Sequence, residues 1–130
     1  MLRFPTHDTK TLTLADGETL TVKARLTHGE VMAMFQRMYE QRDGQNVVSP
    51  VSGDAVIVAY LIEWSARDEH GQPVPLRGLS ADEVQDRLNA LDHDSVLEIR
   101  NAINQHADAM RAEADTLKKT AGGVNVSAPI

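Results

Sequence analysis

The sequence predicts an α+β, mainly α domain: an N-terminal β-hairpin followed by about four helices around a central apolar helix. Three observations lead there. Leu12, Leu14, Leu20, Val22, Ala24 and Leu26 are even-numbered, and Thr11, Thr13, Thr19, Thr21, Lys23 and Arg25 are odd. That period of two gives each strand one apolar and one polar side. The run Ala55-Val-Ile-Val-Ala-Tyr-Leu-Ile62 is apolar on every side, so other elements must wrap it. Thr27-His-Gly-Glu30 and Ser80-Ala-Asp-Glu83 both have the spacing of a capping box, which starts a helix.

The hairpin occupies about 9–26. A two-residue Asp16-Gly17 turn would pair residues of odd sum and set the leucines of the two strands on opposite faces. A three-residue loop, Ala15-Asp16-Gly17, gives an even sum and pairs Leu12 with Leu20 and Leu14 with Glu18. Register follows burial, so the bulged turn with a left-handed Gly17 is expected. The first helix runs from His28 to about Gln41, with Val31, Met34, Phe35 and Met38 on one face, and Arg42-Asp43-Gly44-Gln45-Asn46 ends it.

Ser52 is the expected N-cap of the central helix, which reaches the only tryptophan at Trp64. The β-branched Val56, Ile57 and Val58 leave a strand open for part of this segment, although its length favours a helix. Tyr60, Trp64 and Pro73 are expected in the structural core. Asp68, Gly71, Pro73 and Pro75 turn the chain back across it. Ser80 starts a short helix with Val84, Leu88 and Leu91 on a face. Asp92 or Asp94 caps the longest helix, to about Lys119, whose acidic start and basic end suit the helix dipole. The domain thus spans 1–119, and 120–130 reads as a flexible tail.

A chain of 130 residues suits one domain. Without cysteine there is no disulfide framework, thiolate zinc site or cysteine nucleophile. The 19 acidic against 13 basic residues give a formal charge of −6, which disfavours nucleic-acid binding. The longest apolar run is too short to span a bilayer and no signal-peptide core is seen, so no membrane partner is expected. The five histidines, Asp92-His93-Asp94 and Asp68-Glu69-His70 included, form no metal-binding spacing. The serines form no nucleophile elbow, and Gly122-Gly123 is not a phosphate loop. No catalytic, cofactor or metal site is therefore expected.

Two surfaces are candidate partner-binding sites. On the first helix Met32, Met34 and Met38 gather around Phe35 and Tyr39, and methionine faces adapt to varied partners. Ordinary core filling is the plainer reading of that face, with Met32 and Tyr39 off its main stripe. On the last helix Val96, Ile99, Ile103, His106, Met110 and Leu117 follow at spacings of three, four, three, four and seven, a heptad-like seam. Its first half is expected on Trp64 and Tyr60. Its second half, from about Ala107, either outruns the domain toward a partner chain or lies on its own core. The partner-binding candidates are Met32, Phe35, Met38, Tyr39, Ile103, His106, Met110 and Leu117.

The segment Tyr60-Leu-Ile-Glu-Trp64-Ser65-Ala-Arg-Asp68-Glu-His-Gly71-Gln-Pro73-Val-Pro75, followed by Leu79-Ser80-Ala-Asp-Glu83 and the helix from Asp94 to Lys119, resembles the small tail assembly chaperones of long-tailed bacteriophages and prophages. The resemblance covers about Ala55 to Leu117, and the threonine-rich hairpin loosely. It implies a non-enzymatic protein of the host cytoplasm, absent from the mature virion. It further implies that the protein binds the tape measure protein, keeps it soluble and helps recruit tail tube protein. A homo-oligomer and a longer frameshifted product are compatible with it. Two other classes remain: a minor tail or head–tail joining subunit, and a host regulatory or antitoxin-like binding module.

Overall fold

The computed structural model describes residue 3 and residues 5–126. Its elements are β1 (Thr9–Thr13), β2 (Thr19–Lys23), α1 (His28–Met38), β3 (Tyr39–Arg42), β4 (Gln45–Val48), a 3-10 turn (Ser52–Asp54), α2 (Ala55–Tyr60), β5 (Leu61–Trp64), α3 (Ala81–Asn89) and α4 (His93–Val126). The strands form two antiparallel sheets, a three-stranded one in the order β1-β2-β5 and the two-stranded β3-β4. This is an α+β fold with an N-terminal hairpin and four α-helices.

The first hairpin has the register that burial demands. Leu12 pairs with Leu20 and Thr13 with Thr19. The Leu14 amide donates to Glu18 O at 2.8 Å, and Gly17, at φ +92°, takes the left-handed position of the bulged turn. Leu20, Val22 and Ala24 are buried and Leu12 and Leu14 half-buried, while Thr11 and Thr13 face outward.

The expected central helix is the main correction. Only Ala55–Tyr60 is helical; at Leu61 the backbone extends and Leu61–Trp64 joins β2 as a third strand. The β-branched residues had left such a strand open, but the strand falls after them. Leu61 and Trp64, three residues apart, would point to opposite faces of a regular strand. A bulge shifts the register between Thr21 and Val22, so Leu20 pairs with Trp64 and Val22 with Leu61. Both side chains are thereby buried, and Ile57 below them is fully enclosed. Ser52 does not cap α2: it lies in the 3-10 turn, and Asp54 occupies the N-cap without a side-chain capping bond.

The first helix is shorter than expected. It stops at Met38, and Tyr39–Arg42 pairs with Gln45–Val48 across a two-residue turn in which Asp43 (φ +50°) and Gly44 (φ +78°) are both left-handed. The Asp-Gly pair is thus a hairpin turn rather than a helix stop. Both capping boxes form, on Thr27/Glu30 and Ser80/Glu83. Asp92 caps α4, accepting from the Ser95 amide at 3.0 Å and hydroxyl at 2.6 Å. That helix continues past Lys119 through Val126, so the start of the expected flexible tail is helical. Residues 127–130 lie outside the described ones.

The crossover from β5 to α3 is tied down by two neighbouring side chains of β5. Trp64 Nε1 donates to Val74 O at 2.6 Å, and the Glu63 carboxylate accepts from the Leu76 and Arg77 amides at 2.9 and 3.3 Å. Asp68 Oδ1 organises the intervening loop by accepting from the His70 and Gln72 amides. Pro73, expected in the core, is exposed; Leu76 is the buried residue of this segment. Trp64 is in the core, and Tyr60 is half-buried against it.

A polar clamp joins α2, α3 and α4. The Asp54 carboxylate accepts from Arg100 Nη2 and from Gln85 Nε2, each at 2.9 Å, and Gln85 is itself buried. The Arg100 guanidinium lies over Gly53, where an added Cβ would stand 2.7 Å from its Cζ. Gly53→Ala must therefore push that group off Asp54. The expected cost is at most about 1.5–3 kcal/mol, the worth of a charge-assisted hydrogen bond. In an Arg100→Met background the same change should cost under about 0.5 kcal/mol, because the two sites are coupled. Urea denaturation of the four proteins checks this; equal costs in both backgrounds would dissociate Gly53 from the clamp.

Candidate interaction surfaces

Helix α1 rides on the surface of the domain, with no fully buried residue. Val31, Met34 and Met38, at helical spacing, form its half-buried inner stripe. Phe35, expected within that stripe, points outward with 45% of its surface exposed, and Met32 is 44% exposed. Residues three apart share a helix face, so these two form one apolar step. The backbone extends at Tyr39 (φ −131°, ψ 152°), which pairs directly with Val48 across the second hairpin. Directly paired residues project from the same side of a ribbon. Tyr39 and Val48 are 53% and 66% exposed. Val48 was missed in the sequence because the hairpin was read as a helix end. Met38, a partner candidate, is mainly an inner-stripe residue.

The seam on α4 divides into two parts. Val96, Ile99, Ile103 and His106 are buried. Ile103 is fully enclosed, so as a partner contact it must be withdrawn: it belongs to the domain's own core. The same correction applies to His106. Its Nε2 donates to the Lys23 carbonyl at 2.9 Å, and its ring meets Tyr60 edge-on with centroids 5.7 Å apart. Burial pushes the Tyr60 phenol above its ordinary pKa, with Arg111 opposing and Asp108 reinforcing. Met110 is half-buried, and Leu117 is 56% exposed. From Asp115 to Leu117 every residue is exposed, as is Lys119. The twelve helical residues 115–126 form an arm of about 18 Å at 1.5 Å per residue.

Two shallow cavities lie on the described surface. One, of about 150 Å³, runs between α1 and α2 beside Lys23, Glu30, Met34, Arg37 and Ala59. The other, of about 260 Å³, lies at the turn end of the first hairpin, against the start of α4. Among the described residues no group of three or more His, Asp or Glu is placed to hold a metal ion. Among them, too, no helix is long and apolar enough to cross a membrane. Comparisons with protein-family models, curated proteins and solved structures find no match.

Glu30 couples the first cavity to the fold. Burial raises its pKa, but hydrogen bonds from Lys23 and Thr27 and the Lys23 charge outweigh it, leaving the carboxyl below its ordinary range. A depressed carboxyl contributes stability that is complete above its unfolded pKa, about 4.3, and is lost as pH falls through the folded value. Glutamine preserves the capping geometry without the charge. Glu30→Gln should therefore be less stable than wild type at pH 7, with the gap closing below about pH 4. Urea midpoints of the pair at pH 7 and pH 3 measure it; a gap as wide at pH 3 as at pH 7 would contradict the assignment.

Proposed function

We propose that this protein is a tail assembly chaperone of a long-tailed bacteriophage or prophage, acting in the host cytoplasm by binding the tape measure protein and keeping it soluble. One observation carries the reading: the apolar row Met32, Phe35, Tyr39 and Val48 stays open to solvent on a domain whose other large apolar side chains are mostly packed. An exposed apolar row on a helix and adjoining ribbon suits the apolar face of a long partner helix. The signature around Trp64 and the Ser80–Glu83 box carries the resemblance to that family. The contact set on this reading is Met32, Phe35, Tyr39 and Val48, with the half-buried Met110 beside them as a further candidate. Tail tube protein is a further partner, and no bond-making step is assigned to the domain.

A second reading, a structural subunit retained in the particle, is favoured by the exposed outer edge of β1, since a free strand edge is a template for pairing. Mass spectrometry of purified virions separates the two readings, because the chaperone is absent from them. Co-expression with a candidate tape measure protein tests the first directly. The wild-type protein should raise the soluble fraction of that partner and co-purify with it. Phe35→Ser combined with Tyr39→Ser should abolish both effects while moving the urea midpoint little, as both residues are exposed. Retained co-purification by this double variant would remove the α1 row from the interface.

A further inference from the structure

The cavity at the hairpin turn has a definite chemistry. Its apolar floor is built from Leu14, Trp64, Leu91 and Ile99. Four carboxylates stand around it, from Asp16, Glu18, Asp92 and Glu98, against the single cation Arg67. Arg67 is turned to its own loop, where Nη1 donates to Gly71 O at 2.8 Å. The occupant that matches is an apolar side chain flanked by positive charge.

The chain carries such an element. Among the described side chains of α4, Leu117 is the most exposed large apolar one, and Lys118-Lys119, the only dibasic pair in the sequence, follows it immediately. It stands on the arm beyond the domain body. Its own cavity is out of reach: Glu98 and Leu117 are on the same continuous helix, about 28 Å apart along its axis. A second copy has no such restriction.

We infer that the arm carrying Leu117 and Lys119 of one copy docks into the acidic-rimmed cavity of a second copy, with Leu117 on the Trp64–Ile99 floor and Lys119 among the carboxylates. The contact is heterologous, joining unlike surfaces, so an open chain of copies retains one free arm at one end and one free cavity at the other until a ring closes. It leaves the Met32–Val48 row uncovered. This inference does not depend on the proposed function, because it concerns only copies of this chain.

Sedimentation equilibrium of the full chain, over about three decades of concentration up to about 1 mM, tests it. The weight-average mass should rise with concentration, and Trp64, the sole tryptophan, should change its emission in parallel. Leu117→Asp disables the arm and Glu98→Lys the cavity; both sites are exposed, so the fold should tolerate them. Each variant alone should associate at least about tenfold more weakly. An equimolar mixture of the two should form dimers and nothing larger, because only one intact arm–cavity pair exists between them. A wild type monomeric throughout, variants that associate like wild type, or a mixture that stays monomeric would each overturn the inference. So would a monomeric wild type whose Trp64 emission responds to a synthetic lysine-flanked leucine peptide, which would assign the cavity to a foreign segment.

Discussion

The pairing of β2 with β5 is the constraint on which the rest of this structure depends. A lone two-stranded ribbon is at best marginally stable in water. The first hairpin presents an apolar face of Leu12, Leu14, Leu20 and Val22 that has to be covered. Burying one such side chain contributes about 1.5–3 kcal/mol, against about 0.5–1.5 kcal/mol for an ordinary hydrogen bond. The apolar face therefore decides where the ribbon sits, and the hydrogen bonds follow. By turning from helix to strand at Leu61, the chain adds a third strand to the ribbon while keeping Ile57 beneath it. The bulge in that pairing lets Leu61 and Trp64 both face inward. Glu63 and Trp64 then hold the crossover that leads to α3, so sheet, loop and helices are fixed by four consecutive residues.

What the sequence disclosed, and what it concealed, follows from the same physics. Local rules with a stereochemical cause were legible. The parity of the leucines set the hairpin register, the Thr27/Glu30 and Ser80/Glu83 spacings set two helix starts, and Asp92 was one of two candidate caps for α4. The helix-to-strand change within Ala55–Trp64 was not legible as to place. A run apolar on all sides has no period to distinguish a buried helix from a buried strand. The edge that β2 offered to Leu61–Trp64 decided it, and that edge is a tertiary fact. The second hairpin was hidden for the opposite reason: Tyr39–Arg42 and Gln45–Val48 bury too little to imprint a period of two. Its one explicit signal, Asp43-Gly44, also reads as a helix terminus.

The candidate surface was legible only in part. Met32 and Tyr39, read as off the main stripe of the first helix, are exposed; Ile103, His106 and Leu117 were all drawn from one periodic seam whose later half was left open, and of these Ile103 and His106 are core while Leu117 is exposed. A seam records which face of a helix is apolar, but not how far the domain beneath it extends. Along α4 the last buried residue among the described side chains is His106, Met110 is half-buried, and the seam runs on to the exposed Leu117, eleven residues past His106. Val48 was missed because its exposure depends on the partner strand placing it beside Tyr39.

Division of labour between the two ends of the molecule follows from their unlike chemistry. The α1 row is apolar and built partly of a methionine and aromatic rings, so it tolerates partners of varied shape at low directional cost. The hairpin-turn cavity is the reverse, a bounded volume whose carboxylates reject anionic segments and orient cationic ones. An arm that satisfies the second surface leaves the first untouched. Under the proposed docking, linked copies would present several α1 rows in series, and each additional row would engage an already bound chain as an intramolecular event at high effective concentration. Under the proposed function, a small domain with these four large apolar side chains exposed would hold an extended apolar helix weakly by itself. Repetition of that proposed contact along the partner's length would raise the total affinity through effective concentration.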